Sequence, residues 1–165
     1  MAKVIPIDNV NVIRNGFFAP DFSLPDTDGH MFRIKENLTG NFICLVFFPD
    51  GKNERVAGHL KDLNSGLPKT SGGQDVRLVG ISPFKLPILS AIKENLGLGF
   101  PLLSDQNLTV SKKYYIIAGN AFKLSTHFSI FVMDDAGIVR IRMFDIAGIS
   151  RFDCGELRKK IADLV

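Results

Sequence analysis

The sequence predicts an α/β fold in which a mixed β-sheet is flanked by helices and preceded by an N-terminal β-hairpin. Three observations support this: short runs rich in β-branched and aromatic residues, amphipathic segments between the runs, and turn-forming residues that separate them. With 165 residues, 45% of them hydrophobic, the chain can bury one substantial core. We therefore expect a single domain over residues 1–165, with residues 1–18 as an N-terminal extension.

The predicted strands are the most apolar parts of the chain. Residues 42–48 are almost continuously apolar, which is typical of a central strand that is covered on both faces. The turn at 134–137 separates the last two runs and predicts an antiparallel hairpin. Asp28 and Gly29 predict the turn of the N-terminal hairpin. In chain order, the predicted strands are residues 22–24, 31–34, 42–48, 76–81, 128–133 and 138–144.

Segments between and after these strands have the spacing of amphipathic helices. Residues 86–96 place Leu89, Ile92 and Leu96 on one face, and Gly97 follows as a stop signal. The predicted order is hairpin, strand, helix, strand, helix, helix, hairpin and helix, with helices on both faces of the sheet. The predicted helices are residues 53–63, 86–96, about 105–115, and from about 153 to the end of the chain, while residues 64–74 predict a surface loop.

Composition argues against several classes of function. The net charge is +3, but Lys and Arg are scattered among acidic residues, so we expect no nucleic-acid partner. The N-terminus lacks a secretory signal and no run approaches the roughly 20 apolar residues of a membrane span, so we expect a cytoplasmic protein without a membrane partner. The two cysteines and three histidines lack ligand-like spacing, so we expect no metal site and no cofactor.

Four local phrases occur in an order that is typical of one known family. They are Ala-Pro-Asp-Phe-Ser-Leu at 19–24, Leu-Val-Phe-Phe-Pro at 45–49, Val-Gly-Ile-Ser-Pro at 79–83 and Phe-Pro-Leu-Leu-Ser-Asp at 100–105. Through these phrases the chain resembles the peroxiredoxins of the alkyl hydroperoxide reductase and thiol-specific antioxidant type over roughly residues 19–142. The resemblance implies a thioredoxin-like fold and an ancestry among antioxidant oxidoreductases.

The resemblance also implies where the reactive site lies. In the family, a cysteine in the first turn of the helix after the central strand attacks the peroxide, with the spacing Pro-x-x-x-Thr-x-x-Cys and an arginine at the start of a later strand. Here Pro49 matches the proline, but Asn53 stands at the Thr position, Val56 at the cysteine position and Phe128 at the arginine position. Valine has no nucleophile, and no cysteine lies between residues 48 and 153. We therefore expect a degenerate pocket without ordinary peroxidatic activity.

The two cysteines of the chain have different predicted roles. Cys44 lies in the predicted central strand, where a free cysteine usually acts as a small buried apolar residue. Cys154 is predicted in the first turn of the last helix, where the helix dipole lowers a thiol pKa and the adjacent Asp153 raises it. Cys154 therefore remains a redox candidate, and the alternative function is an antioxidant oxidoreductase that acts on peroxides or disulfides through this thiol.

Two kinds of binding are open at the degenerate pocket. If residues 53–56 begin a helix, its free N–H groups, with Lys52, Asn53 and Arg55, predict a site for a small anionic ligand. The apolar residues Val56 and Phe128 instead favour an apolar patch that binds a protein partner or forms a homodimer. Other aromatic residues available for such contacts are Phe17, Phe18, Phe122 and Phe144. The sequence thus favours a catalytically inactive binding or regulatory homologue.

Overall fold

A computed structural model describes residues 12–119 and 122–165 of the chain. In these ranges the strands are β1 (Ser23–Pro25), β2 (Met31–Arg33), β3 (Phe42–Phe47), β4 (Val76–Ser82), β5 (Leu102–Ser104), β6 (Ile117–Gly119), β7 (Leu124–Thr126), β8 (Phe128–Met133) and β9 (Val139–Asp145). The α-helices are α1 (Glu54–Asn64), α2 (Leu86–Leu96), α3 (Thr109–Lys113) and α4 (Cys154–Ala162), and a 3-10 turn covers Ile34–Asn37.

The main sheet has five strands in the order β5-β4-β3-β8-β9. Strand β3 is parallel to β4 and antiparallel to β8, and β4 is parallel to β5. Strands β1 and β2 form the predicted N-terminal hairpin, and β6 and β7 form a separate two-stranded ribbon. The prediction of a mixed sheet flanked by helices and preceded by a hairpin is confirmed.

Strand β3 is the centre of the core because all six of its residues are buried. Successive side chains of a strand point to opposite faces of the sheet, so β3 contributes to two apolar layers. Cys44 and Val46 pack in the layer that α1, α2 and α4 cover. Leu45 and Phe47 pack in the layer beneath the β1–β2 hairpin and α3.

Helix ends match the signals in the sequence. Asp153 accepts a hydrogen bond from the amide of Gly155 and caps α4, as predicted. Helix α2 has a proline in its first turn, and it ends at Gly97, which adopts a left-handed conformation with φ of 64°. Glu156, in the first turn of α4, forms an ion pair with Lys160, with 3.7 Å between Oε1 and Nζ.

Some elements differ from the prediction. Helix α3 is shorter than expected because Asp105 holds the preceding turn: its carboxylate accepts hydrogen bonds from the amides of Val110 and Ser111 and from the Ser111 hydroxyl. Strands β5, β6 and β7 were not predicted, since three residues are too few to show a period.

The end of the predicted N-terminal extension pairs with β9. The amide of Gly16 donates to the carbonyl of Val139 at 2.8 Å, and the amide of Val139 donates to the carbonyl of Phe17 at 2.9 Å. The first eleven residues of the extension lie outside the described residues. None of the helices within residues 12–119 and 122–165 has the length and apolar character that crossing a membrane requires.

Candidate functional site

Val56 lies in the first turn of α1, beyond the carboxyl end of β3. The chain leaves the sheet at Pro49, which lacks the N–H group that a strand needs, and it turns at Gly51, whose φ is 144°. Helix α1 then begins at Glu54. Only 8% of the Val56 surface is exposed, and the side chain belongs to the apolar layer beneath α1.

Asn53 caps α1 with its side chain. Its Oδ1 atom accepts hydrogen bonds from the amides of Arg55, at 3.0 Å, and Val56, at 3.2 Å. Two of the N–H groups on which the predicted anion site depends are therefore already bound within the chain. Asn53 therefore has a structural role as the cap of α1.

Arg55 is bound to Asp145 at the end of β9. Its Nε donates to Oδ2 at 2.7 Å and its Nη2 donates to Oδ1 at 3.0 Å. These hydrogen bonds raise the pKa of Arg55 above its usual value. Lys52 is exposed, and no ion-pair partner for it occurs in the described part of the chain. Of the three residues predicted to bind an anion, Arg55 is thus engaged elsewhere, and the anion site stays a prediction.

Asp145 has two further partners. His59 donates from Nε2 to Oδ2 at 3.0 Å, and the amide of Phe152 donates to Oδ1 at 3.1 Å. Burial alone would raise the pKa of Asp145, but the hydrogen bonds from Arg55, His59 and Phe152 outweigh it and hold this pKa well below its usual range. The carboxylate is therefore ionised throughout the neutral range.

The rings of Phe128, His59 and Phe152 form an aromatic group beside this carboxylate. The ring centroid of Phe128 lies 4.9 Å from that of His59 and 5.1 Å from that of Phe152. The His59 ring is perpendicular to the Phe152 ring at 5.0 Å. Phe128 begins β8 directly opposite Asp145 in β9.

Sequence reasoning missed His59, Asp145 and Phe152 as parts of this region. The one local signal is that His59 follows Arg55 by four residues and therefore lies on the same face of α1. Asp145 is 86 residues beyond His59, and only the sheet register brings the two together.

The two thiols are buried. Cys44 is fully inaccessible in β3, as predicted, and burial raises its pKa above its usual value. Cys154 is 3% exposed at the start of α4. Burial, followed by the effects of Asp62 and Asp153, outweighs the opposing effect of Arg158 and raises the pKa of Cys154 to about 11. Both sulfurs are therefore protonated at neutral pH.

A cleft lies between α1 and α2, and Val56 forms part of its wall. The volume of the cleft is about 660 Å³. Pro49, Lys52 and Asn53 also line it, whereas Phe128 does not, so the structure separates the sequence-predicted site residues into two regions. Within the described ranges, no group of three or more His, Cys, Asp or Glu side chains is arranged so that it could bind a metal ion.

The aromatic residues considered for self-association differ in exposure. Phe17, Phe18 and Phe122 are exposed, with 72% of the Phe18 surface open to solvent. Phe144 is half-buried and packs against Phe131 at 6.0 Å between ring centroids. Three of the four residues are therefore placed where a partner can reach them.

Comparisons with known sequences give a consistent result. The AhpC/TSA family model matches residues 16–142. Peroxiredoxin Bcp of Escherichia coli (strain K12) is 31% identical over 144 residues, covering 82% of this chain and 88% of the relative. Alkyl hydroperoxide reductase E of Mycobacterium bovis is 29% identical over 131 residues, covering 78% of this chain and 84% of the relative.

Comparisons with solved structures agree on the fold. Peroxidoxin BcpB from Mycobacterium tuberculosis superposes with a TM-score of 0.72 at 23% identity, covering 80% of this chain and 86% of that one. AhpC of Enterococcus faecalis superposes with a TM-score of 0.75 at 15% identity, covering 91% of each chain. The family match and the superpositions lead to one conclusion: the chain belongs to the AhpC/TSA family of peroxiredoxins and has their thioredoxin-like fold.

Proposed function

We propose that this protein is a peroxiredoxin-family member without a peroxidatic thiol and that it acts by binding rather than by reducing peroxides. The observation that carries the proposal is Val56 in the first turn of α1, where the family's reacting cysteine would stand. A peroxidatic thiol is oxidised to a sulfenic acid, and a valine side chain has no atom that can undergo this reaction.

The surroundings of Val56 support the same proposal. The ring of Phe128, at the arginine position, contacts the tilted ring of His59, and Asn53 caps the helix at the hydroxyl position. The nearby guanidinium of Arg55 is directed to the Asp145 carboxylate. The groups that would orient a peroxide and stabilise a thiolate are therefore replaced by groups that hold the structure together.

Cys154 does not favour the alternative oxidoreductase function. A reactive thiol is exposed and ionised, whereas Cys154 is 3% exposed and has a pKa of about 11. At pH 7 such a thiol is a thiolate in about one molecule in ten thousand. Peroxide reduction through Cys154 would therefore require the start of α4 to open first.

Single-turnover oxidation tests the proposal. The reduced protein is mixed with one equivalent of hydrogen peroxide or an organic hydroperoxide, and both cysteines are followed by mass spectrometry. We expect oxidation no faster than that of free cysteine, and we expect Cys154→Ser to leave peroxide consumption unchanged. An active peroxiredoxin serves as the positive control. Rapid, stoichiometric sulfenic acid formation at Cys154 would overturn the proposal in favour of the oxidoreductase.

Two expectations from the sequence accompany this proposal and stay predictions. One is self-association or partner binding through exposed aromatic residues such as Phe17 and Phe18. Sedimentation velocity of the protein and of Phe18→Ser tests it, because the variant should dissociate at a higher concentration than the parent if this residue lies in an interface. The other is the cytoplasmic location, which fractionation of the source cells tests.

A further inference from the structure

We propose that a pocket between the N-terminal hairpin and the start of α3 binds a small phosphate monoester, with the phosphate near Lys85 and Lys113. The volume of the pocket is about 600 Å³, within the range of roughly 300–1,000 Å³ that is usual for small-molecule sites. The pocket shares no lining residue with the cleft between α1 and α2. This site is therefore separate from the region around Val56, on which the proposed function rests.

The buried wall of the pocket belongs to the side of the sheet that faces away from Val56. Phe22, Leu24 and Val110 form this wall, and they pack in the apolar layer beneath the β1–β2 hairpin and α3. Residues 85–87 and 104–107 also line the pocket, and they lie at or just beyond the carboxyl ends of the parallel strands β4 and β5. Ligands of open α/β sheets usually bind at this edge.

The charged residues that line the pocket favour an anion. Lys85 and Lys113 come from different elements, and Asp105 is the one acid that lines the pocket among the described residues. Asp105 is 2% exposed, and its carboxylate accepts hydrogen bonds from the amides of Val110 and Ser111 and from the Ser111 hydroxyl. Because these three donors offset the negative charge inside the protein, the two lysines determine the charge that a ligand meets.

Neither lysine is neutralised by a carboxylate. Lys85 is exposed, and it has no ion-pair partner within residues 12–119 and 122–165. Lys113 donates to the backbone carbonyl of Asp21 at 3.1 Å, while the Asp21 carboxylate is paired with Lys35 at 3.5 Å. A phosphate monoester carries a charge of about −1.5 to −2 at pH 7, so it matches two cations better than a monoanion does.

Uncharged donors accompany the two lysines. The side chains of Gln106, Asn107 and Thr109 line the pocket, and in the part of the chain that the structure describes they have no hydrogen-bond partner. The turn that presents them is closed by a hydrogen bond of 2.9 Å from the Leu108 amide to the Asp105 carbonyl. Leu108 has a φ of 60°, a strained conformation for leucine, and strained residues of this kind cluster at ligand sites.

The apolar side of the pocket favours an organic phosphate over inorganic phosphate. Pro25, Leu86 and Pro87 line the pocket and are partly open to solvent. A compact hydrocarbon group that contacts them removes apolar surface from water, which favours binding. A phosphate monoester with such a group therefore uses both the polar and the apolar residues of the pocket.

Phenyl phosphate is the probe for the experiment, and phenyl sulfate, a monoanion of similar shape, is its matched control. The full chain is titrated with each compound while amide chemical shifts and heats of binding are recorded. We expect phenyl phosphate to shift amides within residues 22–25, 85–87 and 104–113. It should bind about fivefold more tightly than phenyl sulfate or inorganic phosphate, and salt should weaken its binding.

The pH dependence of binding tests the charge of the ligand. Phenyl phosphate binding should weaken as the pH falls through about 6, where a phosphate monoester takes up a proton. No histidine lines the pocket among the described residues, so the change reports the ligand rather than the protein. Phenyl sulfate should show no such change between pH 7 and pH 5.

Variants test the role of the lysines. Lys85→Met should weaken phenyl phosphate binding about threefold to fivefold, as expected for an exposed charge, and Lys85→Arg should retain the affinity. Lys61→Met, at an exposed lysine of α1 that does not line the pocket, should leave the affinity unchanged.

Three results would overturn the proposal: no shifts in the pocket segments, equal affinities for phenyl phosphate and phenyl sulfate, or an unaltered affinity in Lys85→Met. Vesicles of phosphatidylcholine and phosphatidic acid present the same phosphate group on a membrane surface and should not displace phenyl phosphate. Displacement would mean that a lipid headgroup is bound and would overturn the assignment of a small soluble ligand. None of these measurements involves the cysteines, so their failure leaves the oxidation test of the proposed function unaffected.

Discussion

Arg55 and Asp145, 90 residues apart in the chain, are joined by two hydrogen bonds of 2.7 and 3.0 Å. The pair connects the first turn of α1 to the end of β9. In a bidentate pair the two bonds fix the orientation of both groups. The guanidinium of Arg55, the residue before Val56, therefore stabilises the structure of the region.

Asp145→Asn tests this pair through the pH dependence of stability. The folded-state pKa of Asp145 is depressed, so its contribution is present above the unfolded-state value of about 4 and is lost as the pH falls below it. We expect the variant to be less stable than the parent by about 2 kcal/mol at pH 7. Urea denaturation at pH 7, 5 and 3 should show this difference shrinking at acid pH. A constant difference would contradict the prediction, and Glu94→Gln, at an exposed carboxylate, is the control.

Phe128→Ala should be among the most destabilising single changes in the site. Phe128 is buried and contacts the rings of His59 and Phe152, and replacing a buried Phe by Ala costs about 3–5 kcal/mol. Phe18→Ala, at a residue that is 72% exposed, should change the free energy of unfolding by less than about 0.5 kcal/mol. Equal effects of the two changes would mean that the aromatic group contributes little to the free energy of unfolding.

The long elements were predictable and the contacts between them were not. Strands β3, β8 and β9 and helix α2 carry enough apolar residues to show their period, whereas β5 has three residues and shows none. The resemblance placed Val56 and Phe128 at degenerate positions. It did not reveal that the ring of Phe128 contacts that of His59 or that Asp145 binds Arg55, because these contacts depend on how the ends of β8 and β9 lie relative to α1.

If the proposed function is correct, a cysteine at position 56 should not be enough to make the protein a peroxidase. In Val56→Cys, made in a Cys154→Ser background, the new thiol lies in an apolar layer, and the guanidinium of the adjacent Arg55 is bound to Asp145. We expect it to react with hydrogen peroxide no more than about tenfold faster than free cysteine in stopped-flow competition assays. Glu54→Cys, an exposed thiol in the same turn, is the control. A much faster reaction would mean that the pocket lost only its sulfur.

The native thiols should resist alkylation. With a pKa of about 11, Cys154 should react with iodoacetamide at pH 8 more than about 100-fold more slowly than free cysteine, and Cys44 should react no faster. In guanidinium chloride both should react at the rate of free cysteine. Fast labelling of Cys154 in the native protein would reveal an exposure that the folded structure does not have.

Two glycines should respond in opposite ways to alanine. A Cβ atom at Gly80 would lie 2.5 Å from Cδ2 of Leu102 and 3.3 Å from the ring of Phe48, so Gly80→Ala should lower the free energy of unfolding by about 1–3 kcal/mol. Gly58 lies inside α1 with open space around it. Gly58→Ala should therefore raise the free energy of unfolding by up to about 1 kcal/mol. Thermal and urea denaturation of the pair measure both effects, and a neutral Gly80→Ala would contradict the close packing of β4.

The three partners of Asp145 have a consequence for local motion. One carboxylate receives hydrogen bonds from Arg55 and His59 of α1 and from the amide of Phe152, just before α4. Helix ends usually fray independently, as small opening events of low free energy. Here the start of α1 and the segment before α4 share one anchor, so we expect them to open together although they are far apart in the chain.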